Sequence, residues 1–413
     1  MAPGGPGIDR RRALRLLGLG LVSTTTVPWL ASCSSDDGSS GPATTSTEGR
    51  DTTAPPRSTT TAPPGGASLG PLGEPDANGL RLPEGFTSRV VARSNEEIAG
   101  TGFTWHGNPD GGACFAQDDE GWIYVSNSEQ GDGGVGMLRF DAEGEITAAA
   151  RICQGTAINC AGGATPWETW LSCEEFAGGQ VWECDPIGRT PAEVRPALGV
   201  FKHEAVAVDP AAEVLYLSED EPDGAFYRFV PAPWPSLDAG RLEVLAGPEG
   251  DRRWAEVPDP SAAQEPTRNQ VPDVVRFAGG EGLAHHEGTT YLSTKGDNRI
   301  WACDGTDVEI VYDAATTEAM DEDGSGPVLT GVDNITVDAG GDRYVAEDGG
   351  NMDIVRLGPD GLIEKILQLP GVEESEITGP AFSPDGTRLY FSSQRNPGVT
   401  YEVSGPFPHA SPT

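Results

Sequence analysis

Six segments of this chain repeat one pattern: a short β-forming run, a turn built from Gly, Asp or Pro, and a second run ending in polar or acidic residues. They are PDGGACFAQDDEGWIYVSNSE (109–129), TPWETWLSCEE (165–175), HEAVAVDPAAEVLYLSED (203–220), GEGLAHHEGTTYLSTKG (280–296), VDNITVDAGGDRYVAEDG (332–349) and TGPAFSPDGTRLYFSSQ (378–394). Five read as strand–turn–strand, and the second shows a single clear strand. Short apolar or alternating runs bounded by turn formers indicate β structure. A further strand or two follows most hairpins, as in GMLRFDAEG (136–144), GAFYRFVPA (224–232) and DIVRLGPDGLIEKILQL (353–369). Each unit is then about four strands, roughly 40–50 residues, the size of a propeller blade. Six such units fill residues 78–405, with an insertion around 232–272. The expectation is an all-β, six-bladed β-propeller with antiparallel four-stranded blades. A pair of β-sandwiches has no need of a regular repeat with an acidic strand end.

In a blade the first strand lines the central channel and the second returns beside it. The start of the first and the end of the second therefore share one face. First-strand starts carry His203, Glu204, Glu281, Asp333, Asn334 and Thr378. Second-strand ends carry Asn127, Glu129, Cys173, Glu174, Glu175, Glu219, Asp220, Lys295, Glu347 and Asp348. All are expected at one mouth of the channel, with plain turns at the other. Carboxylates crowded in one cleft repel one another, so they either hold protons or are neutralised by cations. Carboxylate and amide oxygens suit Ca²⁺, and a thiolate among them suits a transition metal. The opposing interpretation is a solvated acidic rim.

The chain carries 64 acidic and 27 basic residues, a formal net charge of −37. That balance disfavours nucleic acid and anionic membrane surfaces as partners. The N-terminus reads as an address. Arg11-Arg12-Ala13-Leu14-Arg15 is a twin-arginine pattern before the apolar stretch 16–30, and Leu30-Ala31-Ser32-Cys33 reads as a lipobox. Residues 1–33 are thus expected to direct export through the twin-arginine machinery, with a lipid anchor on Cys33 at the outer face of the cytoplasmic membrane. Residues 34–77, rich in Ser, Thr, Pro and Gly, cannot bury a core and are expected to be a flexible tether, leaving 78–413 for the propeller. Six further cysteines, Cys114, Cys153, Cys160, Cys173, Cys184 and Cys303, permit three disulfides, and Cys153 and Cys160 are close enough in sequence to pair.

At TPWETWLSCEE, FKHEAVAVDP, LSEDEPDGAFYRFVP and GGEGLAHH the chain resembles the PhoX alkaline phosphatase family in its short bacterial form, and the likeness runs over most of residues 80–400. The resemblance implies a six-bladed propeller, a cluster of Fe³⁺ and Ca²⁺ at one channel mouth, and hydrolysis of small phosphate monoesters. By motif, the iron ligands it implies fall on Cys173, Glu204, Glu281 and Glu347. Glu129 lies where the family has an Asn-x-Glu-like element. Of Glu174 and Glu175, strand alternation puts Glu175 on the side of Cys173, and the strand end can override it. Asp333 and Asn334 complete the expected metal set. The family's phosphate-gripping Arg near its Glu-Gly motif has no direct match, since Arg276 is displaced from Glu281. Lys295 and Arg299 in TKGDNR are the nearest substitutes as phosphate anchors. The rim serines lack a His at a suggestive spacing, which argues against a serine hydrolase. Two other readings stand beside the phosphatase: a calcium-dependent lactonase-like propeller using Glu204, Asp333 and Asn334, and a non-enzymatic ligand-binding surface lipoprotein.

Overall fold

The computed structural model describes residues 68–410 except 323 and 373. The twin-arginine run, Cys33 and residues 34–67 of the expected tether lie outside the described residues. Within the described residues, 68–77 of the expected tether already make packing contacts. Leu72 is buried, the Leu69 N–H donates to Glu364 at 3.0 Å, and the Gly73 N–H donates to the Leu82 carbonyl at 2.9 Å.

Six antiparallel sheets form the blades of a β-propeller. Their innermost strands are Pro109–Ala116, Asn159–Ala164, His203–Asp209, Gly280–His286, Val332–Val337 and Ile377–Phe382. Five blades have four strands. The third has a fifth, Arg253–Glu256, drawn from the expected insertion. Its Trp254 lies under the Arg228 guanidinium (4.8 Å) and donates to the Gly305 carbonyl of the fourth blade at 3.0 Å. The sixth blade is composite. Ile377–Phe382, Arg388–Ser393 and Val399–Ser404 are completed by Thr87–Arg93, which pairs antiparallel on the outside. The two ends of the described chain thus close the ring in one sheet.

The second strand of a blade is covered on both faces, so it reads as a continuous buried run rather than an alternation. Trp122–Ser128, Val214–Glu219 and Arg343–Glu347 are buried throughout. Side chains of adjacent blades interleave, as where Tyr124 stacks on Tyr390 at 5.0 Å, and Phe201, in the segment leading into the third blade, stacks on that blade's Tyr227 at 4.3 Å. Each fully buried Phe or Leu contributes about 1.5–3 kcal/mol.

The channel-lining strands differ in being built from small residues, because six of them converge on the axis. A Cβ on Gly162 would stand 1.9 Å from the Leu171 carbonyl oxygen, and one on Gly163 would stand 2.0 Å from that of Val206. The second blade's inner strand, NCAGGA, therefore has almost no apolar pattern, which is why the sequence shows only one strand there. Among the described residues no helix is long and apolar enough to cross a membrane.

Candidate metal centre at the channel mouth

Every inner strand carries a β-bulge in its first residues. The register shifts between Pro109 and Gly112, Asn159 and Gly162, His203 and Val206, Gly280 and Leu283, Val332 and Ile335, and Thr378 and Ala381. A bulge leaves one residue unpaired and re-aims its side chain. Counting one residue on from the strand start, the bulges place Asp110, Cys160, Glu204, Glu281, Asp333 and Thr378 at equivalent positions around the axis. Just beyond the ends of the second strands, a second set of equivalent positions holds Glu129, Glu175, Asp220, Lys295, Asp348 and Gln394. Glu376, immediately before the sixth inner strand, joins them.

Ligand atoms from these sets converge within 4.8 Å of one another in four overlapping groups. These are Cys160–Glu175–Glu204, Glu204–Glu281–Asp333, Asp333–Asp348–Glu376 and Asp110–Glu129–Glu376. Glu204 belongs to two groups and is fully buried. Its Oε1 accepts from the Cys160 thiol at 3.2 Å, whereas its Oε2 is buried with no hydrogen-bond partner. Gln394 donates to Asp110 (2.6 Å) and Glu129 (2.8 Å), leaving its own Oε1 buried and unpartnered. Three cations offset part of the charge. Lys295 contacts Glu281 (3.2 Å) and Asp348 (3.0 Å), Lys202 bridges Glu175 (2.9 Å) and Asp220, and Arg395 pairs with Glu376 at 2.8 Å.

The protonation equilibria record this crowding. Burial, then neighbouring carboxylates, push Asp110, Glu204 and Glu281 well above the usual carboxylate range. Burial raises Glu175 to about 7 against the pull of Lys202. It raises Asp333 to about 6 against Lys295. Burial with Asp333 and Asp110 raises Glu376 to about 10. The Cys160 thiol is also pushed up, by burial and then by Asp110 and Glu204. Lys295 is raised despite burial, because Asp333, Glu281 and Asp348 surround it. Desolvated carboxyls with orphaned oxygens and an adjoining thiol fit cation binding, since bound cations favour the deprotonated forms.

Several residues expected at the mouth sit elsewhere. Cys173 occupies the position equivalent to Asn127, Ser218 and Ser293, which faces the next blade. Asn127 donates to the Cys160 and Ala161 carbonyls, Ser218 to that of Glu281, and Ser293 to that of Asp333. Cys173 itself packs among Leu171, Val181, Val206 and Leu217. The thiol in the cluster is that of Cys160. Glu174 and Glu347 are equivalent to each other, and each ties the segment leading into its blade to the turn that follows its own strand. Glu347 accepts the N–H groups of Thr330, Asn351 and Asp353 at 2.8–3.2 Å. Glu174 accepts those of Ala157 and Gln180. Their successors, Glu175 and Asp348, reach the cluster. Arg299 pairs with Asp297 and Asp313, both at 3.0 Å, on the third strand of the fourth blade, away from the cluster. Asn334 donates to Asp333 at 3.0 Å and accepts from the Gly379 N–H at 2.6 Å, so it steadies a bulge and joins no ligand group. Glu129, Glu175, Glu204, Glu281, Asp333 and Lys295 are brought together. Asp110, Cys160, Asp348, Glu376 and Gln394 are added by the structure.

His203 stacks on Phe201 at 3.6 Å and contacts the Gly199 carbonyl, and His106 packs at a tilt against Trp105, so both are packing residues. His285 lies 3.6 Å from Asp209, whose carboxylate caps a turn at the far face. Behind the mouth the channel holds a cavity of about 340 Å³ lined by Gly111, Gly162, Ala205, Gly282, Gly379 and their neighbours, without a carboxylate among its lining residues. The carboxylates that converge on the axis thus stop at the mouth, while His285 and Asp209, and the separate group Asp338, Asp342 and His409, lie outside it.

Residues 133–181 and 177–291 match the family model described as alkaline phosphatase PhoX. The chain is similar to the PhoX family. The matched segments contain Cys160, Glu175, Glu204, Asp220 and Glu281, and they end before Asp333, Asp348 and Glu376. No curated protein matches the chain. Among solved structures it is similar to Pseudomonas fluorescens PhoX in complex with vanadate, a transition-state analogue. The identity is 16%, with 81% of this chain and 97% of that one covered and a TM-score of 0.66. A structural-genomics protein of unknown function from Bacteroides thetaiotaomicron is 12% identical over 77% of this chain and 76% of its own, with a TM-score of 0.51. At these identities the structural likeness establishes the six-bladed fold.

Proposed function

We propose that this chain is a metal-dependent phosphatase that hydrolyses small phosphate monoesters at the channel mouth. The observation that carries the reading is the convergence of Cys160, Glu204, Glu281, Asp333 and Asp110 from five consecutive blades, with an orphaned Glu204 oxygen among them. The match to the PhoX family and the fold shared with the vanadate-bound enzyme support it. The donor set divides by softness. Cys160 with Glu175 and Glu204 suits Fe³⁺, and the all-oxygen groups around Asp333 and Glu376 suit Ca²⁺. Bound cations would neutralise charge on the phosphate and lower the pKa of a coordinated water.

The chain's own residues set the rest. The bulges hold the carboxylates at fixed spacing, and the serine and asparagine side chains that bind bulge carbonyls lock that spacing. Lys295 and Arg395, each tied to site carboxylates, are the cations placed to meet phosphate oxygens entering from solvent. The twin-arginine pattern and Cys33 support export and lipid anchoring outside the cytoplasmic membrane.

The test is elemental analysis of the purified protein together with p-nitrophenyl phosphate hydrolysis, with and without chelator. Iron and calcium with chelator-sensitive hydrolysis support the proposal. Calcium without iron and without hydrolysis refutes it and leaves the lactonase-like or ligand-binding reading.

A further inference from the structure

Cys153 ends the outermost strand of the first blade, Ile146–Cys153, and Cys184 ends the third strand of the second, Val181–Cys184. They are 2% and 0% exposed and share one inter-blade core with Ile123, Val135, Ile152 and Trp170. The two blades touch at this point, with Ile152 3.1 Å from where a Cβ on Gly188 would stand, and the Cys184 thiol donates to the Trp182 carbonyl at 3.8 Å. Each thiol shifts the other's ionisation, Cys184 chiefly lowering Cys153 and Cys153 chiefly raising Cys184. The remaining thiols lie apart. Cys160 donates to Glu204, Cys173 and Cys303 sit in two other cores, and Cys114 packs against a third. Proximity in sequence suggested Cys153 with Cys160, but the second blade's bulge turns Cys160 toward the metal cluster and leaves Cys184 beside Cys153.

We propose that Cys153 and Cys184 form a disulfide joining the first and second blades when the chain meets an external disulfide, either a small molecule or a thiol–disulfide oxidoreductase. The balance is ordinary exchange. The Cys153 thiolate attacks one donor sulfur, forming a mixed disulfide and expelling a thiolate. The Cys184 thiolate then attacks the Cys153 sulfur and expels the second. Two cysteines are oxidised, one donor disulfide is reduced to two thiols, and the two cysteine protons pass to the expelled thiolates. Because both sulfurs are buried, exchange occurs as the blades close, and the finished bond is shielded from reductant. The enclosed segment carries Cys160 and Glu175, so the link fixes the blade that presents them. It also leaves Cys160 as the thiol at the cluster, with no neighbour to capture it. The proposal holds whether or not the site is a phosphatase.

The first test is peptide mapping of the wild-type chain after export, denatured and alkylated without reductant. Trypsin is unsuitable because no Lys or Arg lies between Arg151 and Arg189. Cleavage after glutamate is expected to give peptide 146–168 linked to peptide 184–193, with fragmentation placing the bond on Cys153 rather than Cys160. The same chain from a reducing cytosol is expected to show both thiols alkylated. Full alkylation of Cys153 and Cys184 in exported protein, or a bond to Cys160, overturns the proposal. As a second measurement, the Cys153→Ser/Cys184→Ser double variant is expected to melt roughly 5–10 °C below the oxidised wild type. It should melt level with wild type folded under reductant. Equal melting of the variant and the exported wild type overturns it as well, and a variant that fails to fold leaves the mapping decisive.

Discussion

Replacing Asp333 with Asn is expected to stabilise the cation-free protein, although it removes a candidate ligand. Asp333 is buried, and burial raises its pKa from 3.8 to about 6 even with Lys295 nearby. A carboxyl raised in the folded state contributes its full stability below the unfolded value and loses it as pH rises through the folded one. The window is therefore pH 3.8 to about 6. Above it the cost is the shift of roughly 2 units at 1.36 kcal/mol each, or about 3 kcal/mol. Asn keeps the oxygen that accepts from Asn334, and Lys295 keeps Glu281 and Asp348, so little else changes. In chelator at pH 7.5, Asp333→Asn should melt about 6 °C above wild type, and at pH 4 the two should nearly coincide. Saturating calcium should erase the difference. If the variant binds a hundredfold more weakly, wild type gains about 2.7 kcal/mol more and the advantage disappears. Thermal melts at two pH values with chelator or calcium give all four numbers. A variant less stable than wild type in chelator at pH 7.5, or a difference independent of pH, would refute the reasoning.

Cys160→Ser should lose iron and its associated absorbance, whereas Cys173→Ser should keep metal content and lose only core stability; metal analysis of the pair checks this. Glu175→Gln should lower bound metal, while Glu347→Ala should keep it and destabilise the protein by roughly 2–3 kcal/mol, through three N–H groups left without an acceptor, that of Asp353 buried and those of Thr330 and Asn351 half-buried, as read by denaturant melts. Lys295→Ala should raise KM for p-nitrophenyl phosphate more than it lowers kcat, as loss of uniform binding does, and Arg299→Ala should change neither; steady-state kinetics decide both.

The ring of blades was legible because each second strand is sandwiched and announces itself as an apolar run between turns. The site was legible in part. Glu204, Glu281 and Asp333 open strands whose hydrophobic continuation marks their start. Cys160 was hidden because its strand, NCAGGA, is made of residues small enough to crowd the axis, and small residues carry no period. Asp110 sits in a recognised run, PDGGACFA, but the two glycines that follow it carry no apolar pattern to mark where the strand starts. Laying the six inner strands on one register would have exposed both, since each occupies the position held by Glu204. The exchange of Glu347 for Asp348 has another cause. At a strand end the turn that follows decides which of two adjacent acids it needs as an acceptor, and alternation alone cannot choose. Arg299 failed for lack of tertiary information, because its two aspartate partners are local to its own blade.

The sixth blade borrows Thr87–Arg93 from the start of the propeller, and the ring of candidate ligands takes one position from every blade. During synthesis the last strand to emerge is therefore the one that the waiting Thr87–Arg93 segment needs before the circle can shut. Until then Asp110 and Glu376, which meet across that seam, remain apart, and no partial product owns a complete cluster. Full occupancy of the centre would thus report that the blades between Thr87 and Ser404 have closed into a ring, which makes metal content a measure of finished circles rather than of total polypeptide.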